Sequence, residues 1–177
     1  MSWKETYNAW KNYQALEPDL KDELAKLEGN DEALEDAFYA PMEFGTAGMR
    51  GVIGAGINRM NVYTVRQATE GLASLMDTLD EETKRRGVAI SYDSRHKSQE
   101  FAFESARVLG AHGIPSFVFE SLRPTPELSF TVRHLHAYAG IMITASHNPK
   151  QYNGYKIYGE DGAQMPPKES DLITKYI

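Results

Sequence analysis

The chain has 177 residues, 41% hydrophobic and 25% charged, with a net charge of −6 and no cysteine. That balance describes a folded globular chain, and at this length one domain with a small appendage is expected. Scattered basic residues under a negative net charge exclude the basic stripe of a nucleic-acid binder, the lack of cysteine excludes disulfide and thiolate chemistry, and no apolar run approaches the ~20 residues that cross a bilayer.

The N-terminal MSWKETYNAW lacks the apolar core of a signal peptide, so a cytoplasmic location is expected. Leu16, Leu20, Leu24 and Leu27 then form one helical stripe, predicting a helical arm over residues 1–40. Pro18 suits a first helical turn, Gly29 a C-terminal cap, and Asn30 the start of a further helix that has to end before Pro41. Trp3, Tyr7 and Trp10 share a face and are expected to pack the arm onto a body. After Pro41 the glycine-rich MEFGTAGMRGVIGAG reads as a functional loop. A helix is predicted from near Val62 to about Thr83, a buried strand at GVAISYD, a helix over Gln99–His112 and a strand at IPSFVFE. Ala137–Ile143 and GYKIYG follow as strands, and Pro166 opens a last helix. Strands and helices alternate, which predicts an α/β layered sheet with its site in loops at the strand ends.

Three loops carry candidate chemistry. Ser146 leaves an apolar strand and enters His147-Asn148-Pro149, where Asn and Pro favour a rigid turn. A serine hydroxyl is a weak nucleophile without a base or a strongly electrophilic partner held in line with it. An ordinary capped turn explains these four letters as well. A hydrolase elbow is disfavoured, because residues 144–148 read Thr-Ala-Ser-His-Asn instead of G-x-S-x-G. In FGTAGMRG, Gly45, Gly48 and Gly51 free the backbone to present N–H groups to an anion, and Arg50 supplies a fork suited to phosphate. A glycine-rich hairpin with an exposed arginine accounts for the loop equally well. It is neither a Walker A loop nor a dinucleotide fingerprint, since Arg59 stands where the last glycine of GAGINR is needed. In SYDSRHKS, Asp93 and Arg95 are expected to pair and brace their own loop, while Pro124 and Pro126 stiffen a strand exit. His134 and His136 have metal-ligand spacing for a strand, with no cysteine or nearby acid to complete a site.

FGTAGMRG, YDSR, RPTPE, TASHNP and NGYKIY, in this order, resemble the first domain of the α-D-phosphohexomutases, the phosphoglucomutase and phosphomannomutase superfamily. The resemblance spans about 41–177 and implies a three-layer α/β/α domain with a mixed, mostly parallel sheet behind the helical arm. It implies that Ser146 carries a phosphoryl group and passes it between C1 and C6 of a hexose phosphate through a bisphosphate. His147 and Lys156 would assist proton movement and phosphate contact, and Arg50 would meet the phosphate. Sugar phosphates would be the partners, glucose 1,6-bisphosphate the activator, and Mg²⁺ the cofactor, held by Ser146 and an aspartate loop, D-G-D-x-D-R. That loop is not in the sequence, GEDGAQ at 159–164 being the nearest letters. One domain of four is therefore expected, without turnover alone and with apolar surface that favours self-association. The arm resembles the extension of firmicute phosphoglucomutases and of animal phosphoglucomutase/phosphopentomutase enzymes, which favours glucose phosphates. The alternatives are phosphomannomutase or phosphopentomutase specificity and a non-catalytic module that binds sugar phosphate or a partner.

Overall fold

The computed structural model describes residues 2–46 and 48–177; Met1 and Ala47, the latter inside FGTAGMRG, lie outside the described residues. The arm consists of α1 (Trp3–Asn12), α2 (Pro18–Leu27) and α3 (Asp31–Phe38). Ser2 and Glu5 form a capping box on α1, Pro18 opens α2, and the Asn30 side chain accepts from the Ala33 N–H at 3.2 Å to begin α3. Gly29 turns the chain between α2 and α3 at φ +86°, where a side chain would be strained. Leu16, Leu20, Leu24, Leu34, Ala37 and Phe38 close a small core with Ala55 of the body. Tyr7 and Trp10 meet Phe38 edge-on at 5.7 and 5.6 Å, and Trp10 meets Tyr63 of the body at 5.4 Å, so the aromatic face docks the arm as expected. Polar ties reinforce it: the Glu17 N–H donates to the Tyr63 hydroxyl at 3.1 Å, and the Ala55 N–H donates to the Glu23 carboxylate at 3.0 Å.

The body runs β1 (Gly48–Val52), α4 (Val62–Asp77), α5 (Glu81–Arg85), β2 (Val88–Tyr92), α6 (Ser98–Ala111), β3 (Ser116–Val118), α7 (Thr125–His134), β4 (Ala139–Ile143), β5 (Tyr152–Tyr158) and α8 (Pro167–Tyr176). The strands form one sheet in the order β1-β5-β4-β2-β3. β2 is parallel to β3 and to β4, while β5 is antiparallel to β4 and to β1. Four strands thus run one way and β5 alone is reversed, a mixed sheet of mostly parallel direction.

Strand periodicity sorts the core into two layers. Val88, Ile90, Ala139, Ile141, Ile143, Tyr155 and Ile157 face one cluster, packed under α4, α6 and α8 with Leu72, Met76, Phe101 and Ile173. Ala89 and Met142 face the other side, against Leu128 and Val132 of α7. Because both faces are covered, β2 and β4 are buried at every position, and this is why they read as unbroken apolar runs.

Several elements differ from expectation. The helix predicted over 62–83 is two helices, because Asp80 accepts from the Thr83 N–H at 2.9 Å and caps a new start. Pro124 and Pro126 open α7 instead of stiffening a strand exit, and this helix buries Leu128 and Val132 alone. His134 therefore ends a helix and His136 sits in a turn at φ +53°, so the strand spacing expected of them does not exist. β1 replaces much of the expected glycine-rich loop: its residues lie in register with β5, Gly48 opposite Lys156 and Arg50 opposite Gly154.

At the end of α6, His112 links back to α4, with Nδ1 2.5 Å from Asp77 and Nε2 2.9 Å from Glu70. The bond to the Asp77 carboxylate, aided by Glu70, raises the imidazole pKa above its ordinary 6.5. The stabilisation is fully present below about pH 6.5, the ordinary value, and is lost as pH rises through the raised folded-state pKa. His112→Gln is expected to remove up to about 1 kcal/mol of stability at about pH 6 and almost none at about pH 9, measured by urea unfolding. Equal losses at both pH values would contradict the pairing.

Candidate active site

The C-terminal end of β4 leads straight into the corner of residues 144–149. Asn148 N–H donates to the Ala145 carbonyl at 3.0 Å, and the turn sets Ser146 at φ +53°, a left-handed backbone conformation that costs a non-glycine residue roughly 1–2 kcal/mol. Ser146 and His147 are exposed, directly after the seven buried residues 139–145. A strained residue kept at a strand exit has to be over-determined by its surroundings.

Two side chains from the segment after β2 do this. The Thr144 hydroxyl donates to Asp93 Oδ2 at 2.7 Å and accepts from the Ser146 N–H at 3.0 Å. The other oxygen of Asp93 accepts from the Ser98 hydroxyl at 2.7 Å and the Arg95 N–H at 3.0 Å. Arg95 then spreads its guanidinium under the corner. Nη2 donates to the carbonyls of Ser146 and Asn148, both at 2.7 Å, and Nη1 to those of Pro149 at 2.9 Å and Tyr152 at 3.2 Å. The expected Asp93–Arg95 ion pair is present at 3.5 Å, but bracing their own loop is the smaller part of what these residues do. The available signal was an Asp-Ser-Arg directly after a wholly buried strand; its partners lie more than fifty residues away.

β5 contributes the third side. The Thr144 N–H donates to the Gly154 carbonyl at 3.0 Å, and a Cβ on Gly154 would lie 2.5 Å from the Thr144 carbonyl oxygen and 3.1 Å from that of Met49. A side chain there would drive β5 away from the serine corner, which gives the glycine of NGYK its physical reason. Two residues on, Lys156 lies between β1 and β4, opposite Gly48 and Met142. Burial lowers its pKa, and the positive charge of Arg50 lowers it further.

The four expected site residues do not share one cavity. Arg50 and Lys156 line an open cleft of about 640 Å³ together with Tyr39, Glu43 and Gln164. Ser146 lines a neighbouring cleft of about 740 Å³ with Arg95, His96, Asn148 and Lys150. Arg50 Nη1 donates to Asn148 Oδ1 at 2.7 Å and joins the two, so the guanidinium reaches the serine corner two residues from Ser146. His147 lines neither cleft. The glycines of FGTAGMRG act differently from the anion-binding expectation: Gly45 and Gly48 direct their N–H groups to each other's carbonyls, at 2.8 and 3.4 Å. The hairpin reading fits them, with Arg50 exposed on the strand that follows.

The family resemblance implies Ser146 as a Mg²⁺ ligand. Among the described residues no three His, Asp or Glu side chains come together in a metal-binding group, and Asp93 is engaged by hydroxyls and Arg95. These residues do not by themselves fit an octahedral oxygen site, and no step below passes through a metal. No helix among the described residues is long and apolar enough to cross a membrane.

Comparison with known proteins agrees with the geometry. Residues 41–177 match the family described as phosphoglucomutase/phosphomannomutase, alpha/beta/alpha domain I. A phosphoglucomutase of Staphylococcus aureus (strain bovine RF122 / ET3-1) is 48% identical over 142 residues, 80% of this chain and 25% of that protein. A human phosphopentomutase is 47% identical over 156 residues, 85% of this chain and 26% of its own. A crystal structure from Thermus thermophilus, described as a phosphomannomutase, superposes with a TM-score of 0.69 at 34% identity, over 78% of this chain and 30% of that one. The chain spans about a quarter of the length of the curated relatives it matches.

Arg95→Ala removes one donor from each of four carbonyls, of which that of Pro149 keeps the Tyr152 N–H at 3.0 Å, and is expected to cost about 2–4 kcal/mol of stability by urea unfolding, while Arg50→Ala costs under about 1 kcal/mol. Equal costs would contradict the division between a bracing and an exposed arginine.

Proposed function

The chain belongs to the phosphoglucomutase/phosphomannomutase family through its α/β/α domain I, a phosphomutase kind of enzyme, and on that premise we propose that Ser146 is the residue that carries the phosphoryl group. One observation supports this above the others: an exposed hydroxyl stands on a strained, braced corner and has a guanidinium bonded into the same corner through Asn148. Phosphoryl transfer asks for positioning and charge neutralisation more than for a strong base, and these residues supply both.

In the proposed reaction a hydroxyl of a sugar monophosphate attacks phosphorus, the bond from phosphorus to Ser146 Oγ breaks as the new O–P bond forms, and the proton leaving the sugar hydroxyl is returned to Ser146 Oγ, which departs as a neutral hydroxyl. The product is a sugar bisphosphate beside a free serine. Reversal with the opposite phosphoryl group restores the phosphoserine and releases the isomer. Arg50 neutralises phosphoryl oxygens. Lys156, whose pKa burial has lowered, moves a proton more readily than an exposed lysine, and His147 is proposed to assist at the open side of the corner. Glucose phosphates are the proposed substrates, and glucose 1,6-bisphosphate the proposed source of the first phosphoryl group. Support for glucose comes from the S. aureus relative, and for a pentose phosphate from the human one.

Incubation with glucose 1,6-bisphosphate followed by peptide mass spectrometry is expected to place one phosphoryl group on Ser146, none on Ser146→Ala, and to label Arg50→Ala at least about tenfold more slowly. An unmodified Ser146 with saturable sugar-phosphate binding would replace this reading with that of a binding module. The labelling rate is also expected to fall on the alkaline side below the ordinary lysine range, as the depressed Lys156 loses its proton, and Lys156→Arg should move that fall to higher pH. An unchanged pH profile would remove Lys156 from the step.

A further inference from the structure

The segment that braces the serine corner is itself held by the arm. Lys97 occupies the N-cap position of α6 at φ +66° and ψ −3°, a left-handed conformation that a lysine does not adopt unaided. On one side of it the His96 carbonyl accepts from Asn153 Nδ2 at 3.1 Å. On the other, the Ser98 hydroxyl accepts from the same nitrogen at 2.9 Å and donates to Asp93. Asn153 and Ser98 have no solvent exposure. From Asp93 the chain of bonds continues through the Thr144 hydroxyl to the Ser146 N–H. A shift of backbone at Lys97 therefore reaches Ser146 through a continuous chain of hydrogen bonds, in which Asn153, Ser98 and Thr144 are buried and Asp93 is partly buried beside Arg95.

What keeps Lys97 in place is a clamp on its ammonium, 2.7 Å from Glu100 of α6 and 2.9 Å from Asp19 of α2. The lysine side chain is 23% exposed, and the junction around Asp19, Lys97 and Phe101 encloses only about 20 Å³ of free space, so it has little slack. We propose that the helical arm is a positioning element for the serine corner, and that Asp19 and Lys97 are the positioning residues through which it acts. The catalytic meaning of this rests on the phosphoserine reading, but the mechanical coupling does not.

Hydrogen exchange of the Ser146 amide on this chain tests the coupling without any substrate. Asp19→Ala is expected to speed that exchange by about threefold to tenfold, Asp19→Glu to restore it, and the core amides of Ala139–Ile143 to stay unchanged. Lys97→Met removes the clamp from the body side, with the arm's own core untouched, and should give the same acceleration; the double variant should add nothing further. Unchanged Ser146 exchange in both single variants overturns the proposal. Labelling of Ser146 by glucose 1,6-bisphosphate in the same variants should slow by the same factor with the bisphosphate Kd unaltered. A wild-type serine that takes no label would defeat the phosphoserine reading, while the exchange result would still decide the coupling.

Discussion

Arg95 holds four carbonyl oxygens, three from the serine turn and one from the start of β5, with a single planar guanidinium, and the serine corner depends on it. Carbonyl groups converging on a bend repel one another and need a donor with matching geometry, which a forked, permanently charged side chain provides and a lysine does not. With those carbonyls drawn inward, the Ser146 side chain is left facing solvent at φ +53°. Asp93 completes the arrangement by fixing the Ser146 N–H through Thr144. The cost of a left-handed serine is thereby met by bonds that exist only in the folded chain.

The sheet makes those bonds possible. β2 and β4 are parallel neighbours, so their C-terminal ends emerge side by side, and the residues following β2 lie beneath those following β4. β5, the reversed strand, brings Gly154 and Lys156 back along β4 and carries β1 with Arg50 at its outer edge. Charge is therefore delivered from the edge of the sheet and rigidity from its middle. The two clefts flank the Arg50–Asn148 bond, which joins the edge of the sheet to the serine corner.

Much of this was legible in the letters, for reasons that differ by element. β2 and β4 are buried on both faces and so read as continuous apolar runs, and the arm declared itself through its leucine stripe and the cap at Asn30. β1 was hidden because its glycines suggest a loop, whereas Gly48 and Gly51 lie in a paired strand against β5. α7 was hidden because Leu128 and Val132 are the buried residues of an otherwise exposed helix, too sparse a pattern to outweigh its two prolines. At the site, TASHNP pointed to Ser146 and its corner, but nothing local identifies Arg95 as the brace, since its four acceptors lie in the serine turn and at the start of β5, more than fifty residues downstream. Long-range partnership of that kind is a property of topology, and sequence periodicity carries no trace of it.

Ser146 is proposed to present a phosphoryl group to a cationic, braced corner. Phosphorus NMR of the chain after treatment with glucose 1,6-bisphosphate, followed through pH, measures this directly. A phosphoserine resonance whose second ionisation lies below the ordinary value of about 6 is expected, shifting back toward it in Arg50→Ala. A resonance that titrates as free phosphoserine does, and is indifferent to Arg50, would contradict it.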